Sequence, residues 1–338
     1  MSTSQSSGGT ELSPAPLSAQ PYPSARNRRG ARSAALVRLL LSIDFGAILV
    51  LLLLTGVVSW QRIWFWDGLA YLDVDTFYLP WYAHLGESLR SFDVPGWNPY
   101  QFSGTPFAGD PQSGWMYLPA MVFFALFKPV AAYQWFLVFH LVLAALSTYA
   151  FARVVGLRPI SSLISASAYT FGPLVNHITC CLIHVQLAAW IPSALLGVEI
   201  AARCKGRAQR MAGWSLAGFA VSQMLAGWVG QGAYNGCLLI GAYVVYRTVA
   251  SPLRSLSLKS RIVDGLISGV VIFGIALGLA AAGLMPRLDA VRGTNVAGGE
   301  YAGLGSENYS AGWTVPLLVD RLMGDGHSYF TSLFYLGG

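Results

Sequence analysis

Seven long apolar runs, separated by shorter polar segments, set the pattern of the chain. They cover Leu36 to Trp60, Ala131 to Ala152, Ile160 to Val175, Cys180 to Ala202, Met211 to Trp228, Ala233 to Val249 and Ile262 to Leu284. A helix of about 20 apolar residues spans the bilayer core. The pattern therefore predicts an all-α polytopic membrane protein with about seven transmembrane helices, the third and fifth of them short or glycine-rich. Tyr117 to Phe127 is also apolar but is stopped by Lys128-Pro129, which suits a re-entrant or interfacial helix. In this reading, residues 1–35 are a disordered basic tail and 36–60 the first transmembrane helix. Residues 61–130 are a long first loop, 131–284 a six-helix bundle, and 285–338 a second outer segment. The final SLFYLGG resembles the start of another span, so the chain reads as incomplete at its carboxyl end.

Composition supports the bilayer as solvent. Of 338 residues, 54% are hydrophobic and 11% charged, against about 25% charged in a typical soluble domain. With the amino terminus in the cytoplasm, fifteen of the 21 Lys and Arg residues fall inside, the bias expected of a multi-pass protein in a cell inner (plasma) membrane. The net charge of +6 then reflects orientation and gives no reason to expect a nucleic-acid partner. Membrane lipids are the expected surroundings. The four cysteines have neither disulfide nor metal-ligand spacing.

The first loop carries the candidate chemistry, because Trp66 to Pro119 is the long, acidic, aromatic-rich segment between apolar blocks. Asp73 and Asp75 alternate with Leu72, Val74 and Thr76. In an extended chain their carboxylates would share one face about 7 Å apart. One could take a proton from an acceptor hydroxyl while the other positions that group or a divalent metal ion, the one cofactor candidate. From Thr76 to Arg90, Phe77, Trp81 and Leu85 recur every four residues beside Tyr78 and Tyr82. This predicts an interfacial helix whose aromatic rings hold the acids at headgroup level. Asp110, in a Pro- and Gly-rich loop, is a third catalytic candidate or the cap of the helix after it.

The substrate-binding candidates are Tyr78, Trp81, Arg90, Asn98, Gln112, His177, His184, Arg287 and Arg292. His177 and His184, seven residues apart, are either hydrogen-bonded interfacial histidines or metal ligands completing the aspartate pair. Arg287 and Arg292 either neutralise a lipid-borne phosphate or rest among headgroups. His140 lies mid-span, where it bonds a neighbouring helix or lines a polar cavity. Asp44 and Glu199 are given structural roles.

These residues resemble a family. An outer-loop aspartate, FYLPW, ESLR, WNPYQFSGTPFAGDPQS and YLP, followed by RVVGL, SAYTFGPLVNH and AAWIP, look like the bacterial YfhO-type membrane proteins, placed among the GT-C glycosyltransferases. The resemblance covers Trp66 to Arg203 and is looser beyond Met285. Leu79 is one residue more than the pattern holds between Tyr78 and Pro80, which leaves either Asp73 or Asp75 as the equivalent acid. The resemblance implies a GT-C-like enzyme that takes a sugar from a polyprenyl-phosphate-linked donor and adds it to a surface glycopolymer or lipid acceptor. A second reading is a transporter or flippase of lipid-linked glycans, and a third a non-catalytic membrane assembly partner.

Overall fold

The computed structural model describes residues 42–60, 73–101, 103–174, 182–250 and 257–292. The chain divides into an amino-terminal unit, Met1–Gly46, and a large unit, Ala47–Gly338. The described part is mostly helical. Helix α1 is Ile43–Ser59; α2, Leu79–Arg90, follows a π-helical turn at Val74–Tyr78. A two-residue antiparallel ladder, β1 (Trp97–Asn98) with β2 (Thr105–Pro106), pairs Trp97 with Pro106 and Asn98 with Thr105. Then come α3 (Leu118–Leu126), α4 (Pro129–Val155), α5 (Pro159–Tyr169), α6 (Leu182–Arg203), α7 (Arg207–Gly227), α8 (Gln231–Thr248) and α9 (Leu258–Arg292).

Three described helices are long and apolar enough to cross a membrane: Pro129–Val155, Leu182–Arg203 and the Leu258–Ala290 part of α9. The other expected spans are helical in their described residues but do not meet both criteria: α1 and α5 are shorter, while α7 and α8 reach the length without the apolar composition. Helix α5 has only 11 residues before a π-helical turn at Thr170–Leu174, and at about 1.5 Å per residue it reaches roughly half the bilayer core.

Prolines set several boundaries. Pro80, Pro119, Pro129 and Pro159 each lie in the first turn of a helix, where a missing N–H costs nothing. Helix α4 ends at Gly156, whose φ of 112° is the left-handed stop that a side chain resists.

Helix α6 is the centre of the bundle, packed on α4, α7 and α8, while α9 lies against α7 and α8. Gly197 of α6 and Gly213 of α7 bring two backbones together: a Cβ on either would come within 2.7 Å of the other's carbonyl oxygen. The main core joins this bundle to the acidic segment through Tyr78, Trp81, Tyr82, Leu85, Phe107, Tyr117, Phe124 and Phe136. The α1 residues Ala47 and Leu51 pack with Ala145, Tyr149 and Ala166 in a smaller cluster.

Candidate functional site

The expected alternation at the aspartate pair gives way to helix. Asp73 has right-handed helical dihedrals and leads into the π-helical turn. Residues two apart on a helix face different ways, so the shared face expected of an extended chain is lost. The wider π turn instead brings Asp73 into the electrostatic field of Tyr78, five residues on. Asp73 and Asp75 are both exposed.

Asp110 also acts on Tyr78 electrostatically, and Gln112 links the two. Tyr78 O–H donates to Gln112 Oε1 at 3.3 Å, and the Gln112 backbone N–H donates to Asp110 Oδ1 at 2.7 Å. The sequence left Asp110 as carboxylate or helix cap. The residue at the N-cap of α3 is Tyr117, and the Asp110 carboxylate serves its own loop. Burial pushes that carboxyl up to about 6; the Gln112 N–H and the Arg287 charge pull the other way but more weakly. Burial likewise raises the Tyr78 phenol above its ordinary range, and the nearby Tyr82, Asp73 and Asp110 add to this. At neutral pH the hydroxyl keeps its proton and donates a hydrogen bond to Gln112.

Helix α2 does not lie on a surface by its aromatic stripe. Trp81 is 1% exposed and Tyr78 4%, and Trp81 packs at a tilt against Phe77 and Phe107 at centroid distances of 4.3 and 5.7 Å. The four-residue period marked a helix buried among α3, α4 and the Phe107 loop. Below the site, Gln186 Nε2 of α6 donates to Tyr82 Oη at 2.6 Å. Trp190 Nε1 donates to Tyr117 Oη at 2.9 Å, and Tyr117 Oη in turn bonds His140 Nε2. His140 Nδ1 contacts Phe136 O at 2.6 Å. That assigns the proton to Nδ1, so Tyr117 donates to Nε2. Of the two roles open to His140, it takes the bond to a neighbour.

Several substrate-binding candidates are engaged in holding the fold. Arg90 Nη1 donates to Phe124 O at 2.7 Å, tying α2 to α3. Asn98 is 1% exposed and holds its own loop, accepting from the Tyr100 N–H at 3.0 Å and donating to Gln101 Oε1 at 3.2 Å. Arg287 is 2% exposed. Its guanidinium donates to the carbonyls of Asp110, Trp115, Leu225 and Ala226. With four of its five N–H donors taken by backbone carbonyls and almost no exposure, it is out of reach of a lipid phosphate, and the expectation is corrected to that of an internal clamp. Arg292 ends α9 exposed. His184 packs edge-on to Trp228 at 5.3 Å, while His177 lies outside the described residues. Among the described residues, no group of three or more His, Cys, Asp or Glu gathers as a metal site.

The site links Tyr78, Gln112 and Asp110 by hydrogen bonds, with exposed Asp73 at the head of the π turn and Tyr82 bonded to Gln186. Gln186 was not singled out in the sequence and Tyr82 only as part of the aromatic stripe, though an amide inside an apolar run is itself a signal of a polar contact. No protein-family model, curated protein or solved structure matches the chain.

Proposed function

We propose that the chain is a multi-pass membrane glycosyltransferase of GT-C type. It moves a sugar from a polyprenyl-phosphate-linked donor to a surface glycopolymer or lipid, on the extracytoplasmic face of the plasma membrane. In this reading α1, α5 with its π turn, α7 and α8 supply four crossings beside the three long helices. The observation that carries the proposal is the polar chain in the first loop, Tyr78 O–H to Gln112 Oε1 at 3.3 Å and Gln112 N–H to Asp110 Oδ1 at 2.7 Å, ending on a carboxyl that burial pushes up to about 6.

A carboxylate with that proton affinity is ionised at neutral pH yet basic enough to accept a proton from an acceptor hydroxyl. Asp110 is therefore the general base, in place of the Asp73 or Asp75 that the sequence favoured. Asp73, exposed at the start of the π turn, orients the acceptor. The acceptor O–H gives its proton to Asp110 and its oxygen bonds to the anomeric carbon. The bond from that carbon to the phosphate oxygen breaks, the configuration inverts, and polyprenyl phosphate leaves with the electron pair. Exposed Arg292 is the cation available to the departing phosphate. A lipid-linked donor suits an outward-facing site, because nucleotide sugars are charged and do not cross the bilayer unaided.

Asp73→Asn, Asp75→Asn and Asp110→Asn, each assayed for transfer of labelled sugar from lipid to polymer in membranes, test the reading. Loss of a general base slows transfer by about 10²- to 10⁴-fold, and that loss is expected at Asp110. A smaller loss is expected at Asp73 and little change at Asp75. Wild-type rates in both Asp73→Asn and Asp110→Asn would remove the proposal.

A further inference from the structure

We infer that Arg287 is the positioning residue for Asp110: through its guanidinium, helix α9 fixes the acid loop beneath Tyr78, so the site is complete only while α9 is docked. This rests on the proposed function only in calling Asp110 reactive; the geometry of the clamp stands apart from it.

The clamp joins two parts of the chain. Toward the loop, Arg287 Nε donates to Asp110 O at 3.1 Å and Nη2 to Trp115 O at 3.2 Å, gripping the loop near both ends. Toward the bundle, Nη1 donates to Leu225 O at 3.0 Å and Nη2 to Ala226 O at 2.8 Å. Those two carbonyls belong to the last turn of α7, where helix carbonyls lack intrahelical partners and carry the negative end of the dipole. They make burial of a cation tolerable, and one planar fork on α9 ties the loop to α7.

Close backbone packing supports the same docking independently. A Cβ on Gly109 would come 2.7 Å from Ala290 Cβ and 3.3 Å from Pro286 O, and a Cβ on Gly283 would come 3.1 Å from Met116 Cβ. The loop thus lies along α9 on both sides of Arg287, with glycine at each close approach. Pro111 O also accepts the Val229 N–H at 3.3 Å, so the loop is held against the turn after α7 as well. The charged and titratable groups acting on Asp110 or its Tyr78 neighbour are Arg287 from α9, Tyr82 from α2 and Asp73 from the π turn. Arg287 is the sole cation in that set.

The test reads Asp110 directly in the full chain in nanodiscs. The infrared carbonyl band of its protonated carboxyl, assigned by its loss in Asp110→Asn, is titrated in wild type, Arg287→Gln and Arg287→Lys. A cation favours the ionised acid, so Arg287→Gln should move the midpoint up by about one unit, a tenfold rise in proton affinity. Arg287→Lys keeps the charge but not the fork, so its midpoint should move far less. In parallel, Met116→Cys with Gly283→Cys reports docking: a Cβ built on Gly283 comes 3.1 Å from Met116 Cβ, a few tenths of an ångström inside the usual disulfide range, so the pair closes only with the loop against α9. Crosslinking should be fast with Arg287 and several-fold slower with either substitution. If Arg287→Gln does not fold, Arg287→Lys still decides through its crosslinking rate. Unchanged midpoint and crosslinking in every variant that folds would overturn the inference. A shifted midpoint in a protein with no transferase activity would instead sink the glycosyltransferase reading and leave the clamp standing.

Discussion

Replacing Glu199 should destabilise the bundle more than removing any exposed charge. Its side chain is fully buried in the last turns of α6, yet it meets two arginines. Oε1 accepts from Arg203 Nε and Arg247 Nη2, both at 2.6 Å, and Oε2 from Arg247 Nε and the Tyr243 hydroxyl, both at 2.7 Å. The Arg247 side chain is 10% exposed, so removing the carboxylate strands a mostly buried cation; Arg203, at 35%, can turn to solvent. Breaking a buried pair from one side costs about 3–5 kcal/mol, and an exposed pair under about 1 kcal/mol. We therefore expect Glu199→Leu to cost about 3 kcal/mol, nearly all of it through Arg247. Glu199→Leu combined with Arg247→Met leaves no stranded charge and should return to within about 1 kcal/mol of wild type. Reversible unfolding in mixed micelles, run as a double-mutant cycle, measures both numbers. A loss below about 1 kcal/mol for Glu199→Leu alone, or purely additive effects in the double variant, would refute the reasoning.

Two further perturbations probe the acid loop and its supports. Because the Asp110 carboxyl is raised to about 6, the folded protein holds a proton there that the unfolded chain releases from about pH 3.8 upward. Asp110 thus withdraws stability as pH rises through that window. Asp110→Asn should raise the thermal midpoint at pH 7.5, with the gain vanishing by pH 4, as followed by thermal shift across pH. Gly86→Ala should separate α2 from α3, since a Cβ there would overlap the Phe124 carbonyl. Overpacking of this kind typically costs about 1–3 kcal/mol, measurable by the same unfolding assay.

The apolar runs made the long helices legible, because three of them carry their own length and composition. The short α3 was legible too, from Lys128-Pro129 at its end. Glu199 was rightly given a structural role, since a carboxylate inside an apolar run must find partners. What the sequence hid depended on contacts between distant segments. Arg287 lies 177 residues from Asp110, and nothing local distinguishes a clamp from a headgroup ligand. The stripe of Phe77, Trp81 and Leu85 spoke for a helix with an apolar face. Whether lipid or protein covers that face is a tertiary matter, decided here by Phe107 against Trp81, with Phe124 and Phe136 against the neighbouring Tyr82. The alternation at Asp73 and Asp75 was too short to outweigh the helix that follows it.

The widened turn at Val74–Tyr78 has a consequence for how this chain can tolerate change in length. A π turn holds one residue more than an ordinary turn, and here Leu79 follows it directly, ahead of Pro80. Deleting a single position between Asp73 and Leu79 would tighten the coil and swing the upstream acid about 100° around the axis. The downstream aromatics, locked in the core, would stay in place. Point substitutions here are graded in effect, whereas a one-codon loss acts as a switch of angle.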